Sequence, residues 1–377
     1  MKIGLVCPYN IVKGGGVQEI VLAEQAELLR MGHDAYIITP KPREENGKKH
    51  RLRKTIFVGN STDFNSPLHT TVQVSAGVHE AIDRVLTEHE FDVLHFHEPW
   101  VPMLSMQILS RSTSVNVATF HAKLPETFMS RTVARMVTPY TKSVLNYVHE
   151  LTAVSDAAAD YLRRQTDRPV RIIPNGIDLT KYRPPRSRKD GSESKTIFFV
   201  GRLEQRKGVK YLLRAFAMLR EMQPGVRLLI ASDGPERRKL QQLAEELGVS
   251  GGVEFLGYIS DKDKLHYLKT ADLFCSPALY GESFGVVLLE AMATGLVTVA
   301  GDNPGYASVM KGLGAISLIN PKHTDEFARR LDLLLHERDL RRLWRDWAKT
   351  EVQQYSYSAV VRQYEAVFKE ALSRHGE

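Results

Sequence analysis

Short apolar runs alternate with helical patterns along nearly the whole chain, and this alternation constrains the fold more than any other feature. Ile3–Cys7, Ala35–Thr39 and Val93–Phe96 are typical of buried strands, because strands covered on both faces lack polar alternation. The pattern Gln18–Met31 between the first two is helical. Apolar strands joined by helical crossovers indicate parallel sheets with helices on both faces. The sequence therefore predicts an α/β chain of doubly wound, Rossmann-like sheets.

A polar segment divides this pattern into two halves. Residues 183–195 contain no apolar residue, which is typical of a linker. The pattern restarts with a predicted strand at Thr196–Val200 and ends with one at Ala315–Leu318. Because 377 residues are too many for one ordinary core, we predict a first domain over 1–183, a second over 184–355 and a C-terminal helix over 356–377 that returns to the first domain.

Composition narrows the class of protein. The chain has 51 basic and 44 acidic residues, a net charge of +7, which suits an anionic partner such as a nucleotide or a phospholipid head group. Two cysteines are too few for a disulfide framework. The most apolar stretch, Phe284–Ala300, contains Glu290 and is a poor membrane span. We expect a cytoplasmic monomer that binds no nucleic acid, with peripheral contact at the inner face of the cell membrane left open.

Three glycines follow the first predicted strand. Lys13, Gly14, Gly15, Gly16 and Val17 precede Gln18 and open the first predicted helix, where free N–H groups and the positive end of the helix dipole favour a phosphate. A plain tight turn is the alternative. The segment is not G-x-G-x-x-G and no acidic residue ends the second strand, which argues against an NAD enzyme.

Two cations lie in the loop after the strand Thr196–Val200. Arg202 and Lys207 are five residues apart and are able to converge on a diphosphate without a metal. The alternative is a pair of solvated surface charges.

Two carboxylates flank the start of a helix expected near Phe284. Glu282 lies at its N-terminal edge, where it either binds a ligand hydroxyl or caps the helix. Glu290 lies eight residues later inside an apolar helix. An unpaired buried carboxylate is costly, so Glu290 favours ligand binding.

Histidines end two predicted strands of the first half. His95 and His97 lie at the carboxyl end of the predicted strand Val93–Phe96, and His121 directly follows the next strand, so we expect them to face a cleft between the domains. His121 is the favoured ligand contact. No H-x-x-x-H pattern or Cys/His cluster supports a metal, and we expect none.

These motifs occur together in one order along nearly the whole chain. They are GGVQ, HEP, TFH, VSD (154–156), PNGID (174–178), GRLEQRKG, ASDGP (231–235), LGYISD (256–261) and ESFGVVLLEAMATG. The arrangement resembles the GT-B glycosyltransferases of the large retaining family 4. It is most similar to the phosphatidylinositol mannosyltransferases.

The resemblance implies a retaining, metal-independent hexosyltransferase that moves mannose from GDP-mannose to a phosphatidylinositol-like lipid. Arg202 and Lys207 would neutralise the diphosphate, Glu290 would bind the ribose and Glu282 the transferred sugar. The implied catalytic residues are His121, Arg202, Lys207 and Glu282. The implied donor-binding residues are Gly15, Gly16, Asp233, Ile259, Asp261, Lys264, Ser283, Phe284, Gly285 and Glu290. The implied acceptor-binding residues are Tyr9, Gln18, Asn60, Ser61 and Lys123. No cofactor beyond the nucleotide sugar is implied.

The acceptor side departs from the family pattern. The segment Gly77–Glu90 is acidic where the mannosyltransferases carry a basic helix, and the basic charge lies in Lys48–Lys54 instead. That run suits an anionic membrane and equally an ordinary solvated loop. Three alternatives stay open: a family 4 transferase that uses a UDP-sugar to build a capsule, lipid or cell-wall glycan, a sugar-nucleotide 2-epimerase of the same fold, and a binding protein with an inactive site.

Overall fold

The computed structural model describes residues 1–12, 15–42, 52–65, 71–76, 79–101, 103–121, 138–185 and 195–376, with backbone alone at 61–65 and 71–76. The chain divides into two compact units. The first comprises Met1–Gly176 together with Tyr357–Glu377, and the second comprises Ile177–Ser356.

The first unit is built on an eight-stranded sheet with the order β4-β3-β2-β1-β5-β6-β7-β8. Its strands are β1 (Lys2–Val6), β2 (Asp34–Lys41), β3 (Thr55–Asn65), β4 (Thr71–Ala76), β5 (Val93–His97), β6 (Val115–Phe120), β7 (Glu150–Ala153) and β8 (Val170–Ile172). All neighbours pair in parallel except β3 and β4, which are antiparallel. Leu5 in β1 is level with Ile37 and His95 on either side.

The helices of the first unit connect these parallel strands. They are α1 (Gly16–Arg30), α2 (His79–His89), α3 (Leu104–Leu109) and α4 (Asp156–Arg163), and residues 138–145 are also helical. Ser155 begins α4 as its N-cap, because its hydroxyl accepts a hydrogen bond from the N–H of Ala158 at 3.0 Å.

The antiparallel pair β3–β4 is missing from the sequence prediction. Thr55–Asn65 has the sequence TIFVGNSTDFN, whose polar second half lacks the continuous apolar character of the other strands. Antiparallel strands at a sheet edge do not need a continuous apolar sequence, because one of their faces can be solvated.

The second unit is built on a six-stranded, wholly parallel sheet with the order β11-β10-β9-β12-β13-β14. Its strands are β9 (Thr196–Val200), β10 (Arg227–Ala231), β11 (Val253–Gly257), β12 (Leu273–Ser276), β13 (Thr298–Gly301) and β14 (Leu318–Ile319). Its helices are α5 (Val209–Met222), α6 (Arg237–Glu246), α7 (Asp261–Thr270), α8 (Val286–Ala293), α9 (Pro304–Ala307), α10 (Thr324–His336) and α11 (Arg338–Glu351), with short 3-10 turns at Gln205–Lys207, Ser250–Gly252, Gly312–Ser317 and Val352–Tyr355.

The predicted strand Ala315–Leu318 is wrong. A 3-10 helix occupies Gly312–Ser317, and only Leu318–Ile319 pair with β13. Arg330 donates hydrogen bonds to the carbonyls of Ile316 and Leu318, so a side chain satisfies backbone acceptors that a strand partner would otherwise take.

The last helix, α12 (Tyr357–His375), belongs to the first unit. Its Tyr364 and Phe368 lie in the core cluster that also contains Leu5 and Leu28. The units divide between Gly176 and Ile177, ahead of the expected boundary at residue 183. No helix in the described part of the chain has the length and hydrophobicity to span a membrane.

We expect Phe368→Ala to lower the free energy of unfolding by about 3–5 kcal/mol, because the ring is fully buried and its loss leaves a cavity. Gln363→Ala, on the exposed face of the same helix, should change it by less than about 0.5 kcal/mol. Urea unfolding of the whole chain measures both. Equal effects would show that α12 does not complete this core.

Candidate active site

Tyr9, Glu98 and His121 meet at the carboxyl edge of the first sheet. Each lies just after one of the adjacent strands β1, β5 and β6. The Glu98 carboxylate accepts a hydrogen bond from the backbone N–H of His121 at 2.8 Å. Burial, and next the Glu98 charge, raise the pKa of the Tyr9 hydroxyl well above its usual value. Glu98 therefore links a predicted acceptor residue to a predicted catalytic one.

The His121 imidazole is buried against a second histidine. Its Nε2 lies 3.0 Å from Nδ1 of His97, and the two rings stack at 5.2 Å. On its other side the imidazole has the Asn175 side chain beside it. Nδ1 of His121 and Oδ1 of Asn175 are both buried, and neither completes a hydrogen bond of normal geometry within the described residues.

A buried carboxylate holds the two strand histidines. Glu24 of α1 accepts a hydrogen bond from Nδ1 of His95 at 2.7 Å through Oε1, and its Oε2 lies 3.3 Å from Nε2 of His97. Burial alone would favour the neutral acid. The neighbouring His95 and His97, which lie within hydrogen-bonding distance of the carboxylate, outweigh it and hold the pKa of Glu24 well below its usual range.

The environment keeps His97 and His121 neutral. Burial lowers the pKa of His97, and the neighbouring His95 lowers it further. Burial, followed by His97 and His95, lowers the pKa of His121 well below the usual value. Removing a proton acceptor from water disfavours its charged form, and like charges nearby add to the effect.

The Glu24, His95 and His97 group has atoms of the kind that bind cations, all within 4.8 Å of one another. The 2.7 Å separation between Glu24 and His95 is that of a hydrogen bond. Nε2 of His95 is likewise engaged, 2.6 Å from the Thr119 hydroxyl. The cluster is therefore a hydrogen-bonded network.

The expectation that His95 and His97 face a cleft is wrong, since both are fully buried inside the first unit. Sequence reasoning also missed Glu24. The available signal was a carboxylate among apolar residues of an amphipathic helix, which needs a buried partner.

The glycine segment lies where α1 begins. Gly15 is the N-cap with φ +150°, and no side chain caps the helix. A Cβ on Gly15 would meet the Gln18 side chain at 2.4 Å, whereas a Cβ on Gly16 would meet nothing within 4 Å. Gly16 therefore has open space in front of it. Lys13 and Gly14 lie outside the described residues.

Of the remaining residues predicted to bind the acceptor, only some lie within the described part of the chain. Asn60 is exposed on β3, and Ser61 follows it on the same strand. Lys123 and residues 48–51 lie outside the described residues. Lys54, the last residue of the basic run, forms an ion pair with Asp34.

In the second unit, two cations converge on one carboxylate oxygen. Oε1 of Glu282 lies 2.7 Å from Nζ of Lys207 and 2.8 Å from Nη1 of Arg206. Arg206 also pairs with Glu204 at 2.8 Å, and Arg202 pairs with Glu204 at 3.1 Å. The loop after β9 and the loop before α8 thus share one charge network. Sequence reasoning missed Arg206, although it directly precedes Lys207.

The loop before α8 is shaped by one glycine. Gly285 has φ +107°, and a Cβ there would lie 2.7 Å from the Tyr306 ring. The helix begins at Val286, two residues after the expected start at Phe284. Phe284 is buried against Tyr355 with ring centroids 5.8 Å apart, and Ser283 is half-buried beside it. Glu282 is therefore not the cap of this helix.

Glu290 is the centre of a second network. Its Oε1 accepts hydrogen bonds from the Tyr182 hydroxyl at 2.6 Å and from Nζ of Lys264 at 2.7 Å. Lys264, predicted near the nucleobase, thus meets Glu290, predicted at the ribose. Asp261 is exposed at the start of the same helix α7, and Ile259 is half-buried just before it.

Asp233 lies against the loop after β9, because its backbone carbonyl accepts a hydrogen bond from the N–H of Leu203 at 2.9 Å. It pairs with Arg237 at 3.1 Å and accepts a hydrogen bond from the N–H of Gly234 at 2.7 Å.

Comparison with known proteins shows the family of this chain. Residues 184–351 match the family described as glycosyl transferases group 1, and residues 14–181 match glycosyltransferase family 4. The phosphatidyl-myo-inositol mannosyltransferase of Mycolicibacterium smegmatis is 32% identical over 98% of this chain and 94% of its own length. The corresponding protein of Mycobacterium tuberculosis is 30% identical over 98% and 97%.

Solved structures share the fold of the whole chain. Sucrose-phosphate synthase from Thermosynechococcus elongatus superposes with a TM-score of 0.77 at 21% identity, covering 99% of each chain. The fold, with one predominantly parallel and one wholly parallel sheet, is that of a GT-B glycosyltransferase. The chain belongs to glycosyltransferase family 4, as the motifs predict.

We expect the protein to lose stability as the pH falls from 6.5 to 5. The pKa values of His97 and His121 are lowered in the folded state, so the unfolded chain binds more protons below about 6.5. Each group then costs up to about 1.4 kcal/mol per pH unit. Thermal and urea unfolding at several pH values measure the slope.

His121→Gln should flatten this slope, because it removes one imidazole whose pKa is lowered in the folded state. His323→Gln is the matched control, since the His323 side chain is 63% exposed. A slope that both variants leave unchanged would contradict the assignment.

Proposed function

We propose that this glycosyltransferase moves mannose from GDP-mannose to a phosphatidylinositol-like lipid, with retention of configuration and without a metal. The convergence of Lys207 and Arg206 on Glu282 carries the proposal. It supplies cations for a diphosphate next to a carboxylate for a sugar hydroxyl. The relatives that are 30% and 32% identical are named mannosyltransferases acting on phosphatidyl-myo-inositol, which favours this donor and acceptor.

The cations of the second unit suit a departing diphosphate. The ammonium group of Lys207 has three N–H donors, and among the described residues it makes one close ion pair, with Glu282. Arg202 is half exposed. Stabilising the charge that develops on the leaving group is the largest electrostatic task of such a transfer, and fixed cations perform it in place of a divalent ion.

The two carboxylates suit the two polyol parts of a nucleotide sugar. Glu282 accepts hydrogen bonds from the transferred sugar, and Glu290 accepts them from the ribose. Tyr182 and Lys264 both bind Oε1 of Glu290, and we assign its Oε2 to the ligand. Lys264 and Asp261 are then near the base, where a carboxylate pairs with the two N–H donors of guanine.

The reaction proposed is a substitution on one face of the sugar. The bond from the anomeric carbon to the diphosphate oxygen breaks, and a bond to the acceptor hydroxyl oxygen forms. The acceptor's proton passes to the departing phosphate oxygen. We assign His121 to sugar contact and Tyr9 and Gln18 to acceptor binding.

A product assay tests this function. GDP-mannose and UDP-glucose are each supplied with and without phosphatidylinositol vesicles. Mannosylated lipid from GDP-mannose alone supports donor and acceptor together. Slow release of GDP without lipid product would retain the donor and reject the acceptor. Turnover of UDP-glucose alone would reject the mannose assignment and favour the alternative use of a UDP-sugar.

We expect Lys207→Ala to lower kcat by about 10²–10³-fold, because a preorganised charge at the leaving group is lost. Lys210→Ala is the matched control, since it removes the same charge from an exposed position three residues later. Initial rates with GDP-mannose and vesicles measure both. Turnover of Lys207→Ala at the parent rate would reject the proposed mechanism.

We expect Tyr182→Phe to raise KM for GDP-mannose by about fivefold to tenfold with kcat little changed. The hydroxyl orients Glu290 and is not at the reacting carbon, so its loss weakens ground-state and transition-state binding alike. Tyr147→Phe, at a half-exposed tyrosine of the first unit, should leave both constants unchanged. A fall in kcat alone would contradict the ribose assignment.

A further inference from the structure

The contacts around the buried Glu24 carboxylate determine which ring nitrogens of His95 and His97 carry a hydrogen. A carboxylate can only accept hydrogen bonds, so the hydrogen between Glu24 and His95 lies on Nδ1 of His95. Oε2 of Glu24 and Nε2 of His97 are buried 3.3 Å apart, and neither has another partner in the described structure. An unsatisfied buried carboxylate oxygen is costly. The hydrogen of His97 therefore lies on Nε2, toward Glu24.

The tautomer of His97 in turn determines the tautomer of His121. A neutral imidazole carries one hydrogen, so Nδ1 of His97 is an acceptor. It lies 3.0 Å from Nε2 of His121, which must then be the donor. Nδ1 of His121 is left as a second acceptor, buried beside Oδ1 of Asn175. Two neighbouring buried acceptors need two hydrogen-bond donors from elsewhere.

We propose that Glu24 and His97 are positioning residues that set the tautomer of His121, so that Nδ1 of His121 and Oδ1 of Asn175 accept hydrogen bonds from two hydroxyl groups of a sugar. The Glu98 carboxylate accepts a hydrogen bond from the backbone N–H of His121 at 2.8 Å and so holds the backbone of that residue in place. The identity of the sugar rests on the proposed function. The assignment of the hydrogens does not.

The alternative is the opposite tautomer of His121, with its hydrogen on Nδ1. If the hydrogen of His121 were on Nδ1, it would be donated to Oδ1 of Asn175, and the imidazole would have no acceptor for a ligand hydroxyl. His97 would then have to turn its own hydrogen toward His121 and leave Oε2 of Glu24 without a donor.

Nuclear magnetic resonance of the whole protein with ¹⁵N-labelled histidine distinguishes the two states. Protonated and unprotonated ring nitrogens have well-separated shifts, and a scalar coupling across the hydrogen bond identifies the nitrogen pair. Spectra of His121→Gln and His97→Gln assign the signals among the 13 histidines. We expect hydrogen on Nε2 of both residues in the ligand-free protein. Hydrogen on Nδ1 of His121 would overturn the proposal.

Two variants test the positioning roles. In His97→Phe we expect His121 to reverse its tautomer and donate from Nδ1 to Asn175, because the acceptor at His97 is gone. In Glu24→Gln the amide offers one acceptor to two ring N–H groups, so either His95 or His97 should reverse. Unchanged tautomers in these variants would overturn the roles of His97 and Glu24. His323→Gln is the control, and if the variants do not fold, the wild-type spectrum decides.

The ligand part is tested with deoxymannose analogues of GDP-mannose, each lacking one hydroxyl. For an analogue that lacks a bound hydroxyl we expect kcat/KM to fall roughly tenfold in the wild type. The same analogue should show no further fall in His121→Phe. Equal discrimination by both proteins would overturn the sugar contact. Failure to turn over GDP-mannose would reject the proposed function, while the spectra would still decide the roles of Glu24 and His97.

Discussion

Parallel pairing of strands is the constraint on which both candidate sites depend. It brings the carboxyl ends of β1, β5 and β6 to one edge of the first sheet, so that Tyr9, Glu98 and His121 meet although they are far apart in sequence. In the second sheet the loops after β9 and β12 are neighbours for the same reason. Loops at the carboxyl edge of such sheets are where ligands bind.

The two sites meet the cost of buried charge in different ways. The first unit buries Glu24 completely and compensates its charge with imidazoles held within the core. The second unit leaves its carboxylates only slightly exposed, 13% for the Glu282 side chain and 9% for Glu290, and pairs them with long cationic side chains. Imidazoles in a rigid core hold hydrogens in defined places. Lysine and arginine side chains are able to redistribute when an anionic ligand arrives.

Much of the fold was predictable because the parallel strands are nearly continuous apolar runs, as Ile3–Cys7 is. The pair β3–β4 was not, since an antiparallel edge carries no such signal. In the candidate sites, motif positions predicted Lys207, Glu282 and Glu290, and the structure places all three in ion pairs. Their partners Arg206 and Tyr182, and the role of Glu24, depend on tertiary contacts that spacing along the chain does not encode.

The return of α12 to the first unit affects how the protein is made. The chain leaves the first unit after Gly176 and re-enters it at Tyr357, and Ile177 pairs with Ser356 where the two crossings meet. The second unit is thus an insertion with adjoining ends. On the ribosome the N-terminal sheet must wait, with its side for α12 uncovered, until 180 further residues of the second unit have been synthesised. The inserted unit, contiguous in sequence, is able to fold first.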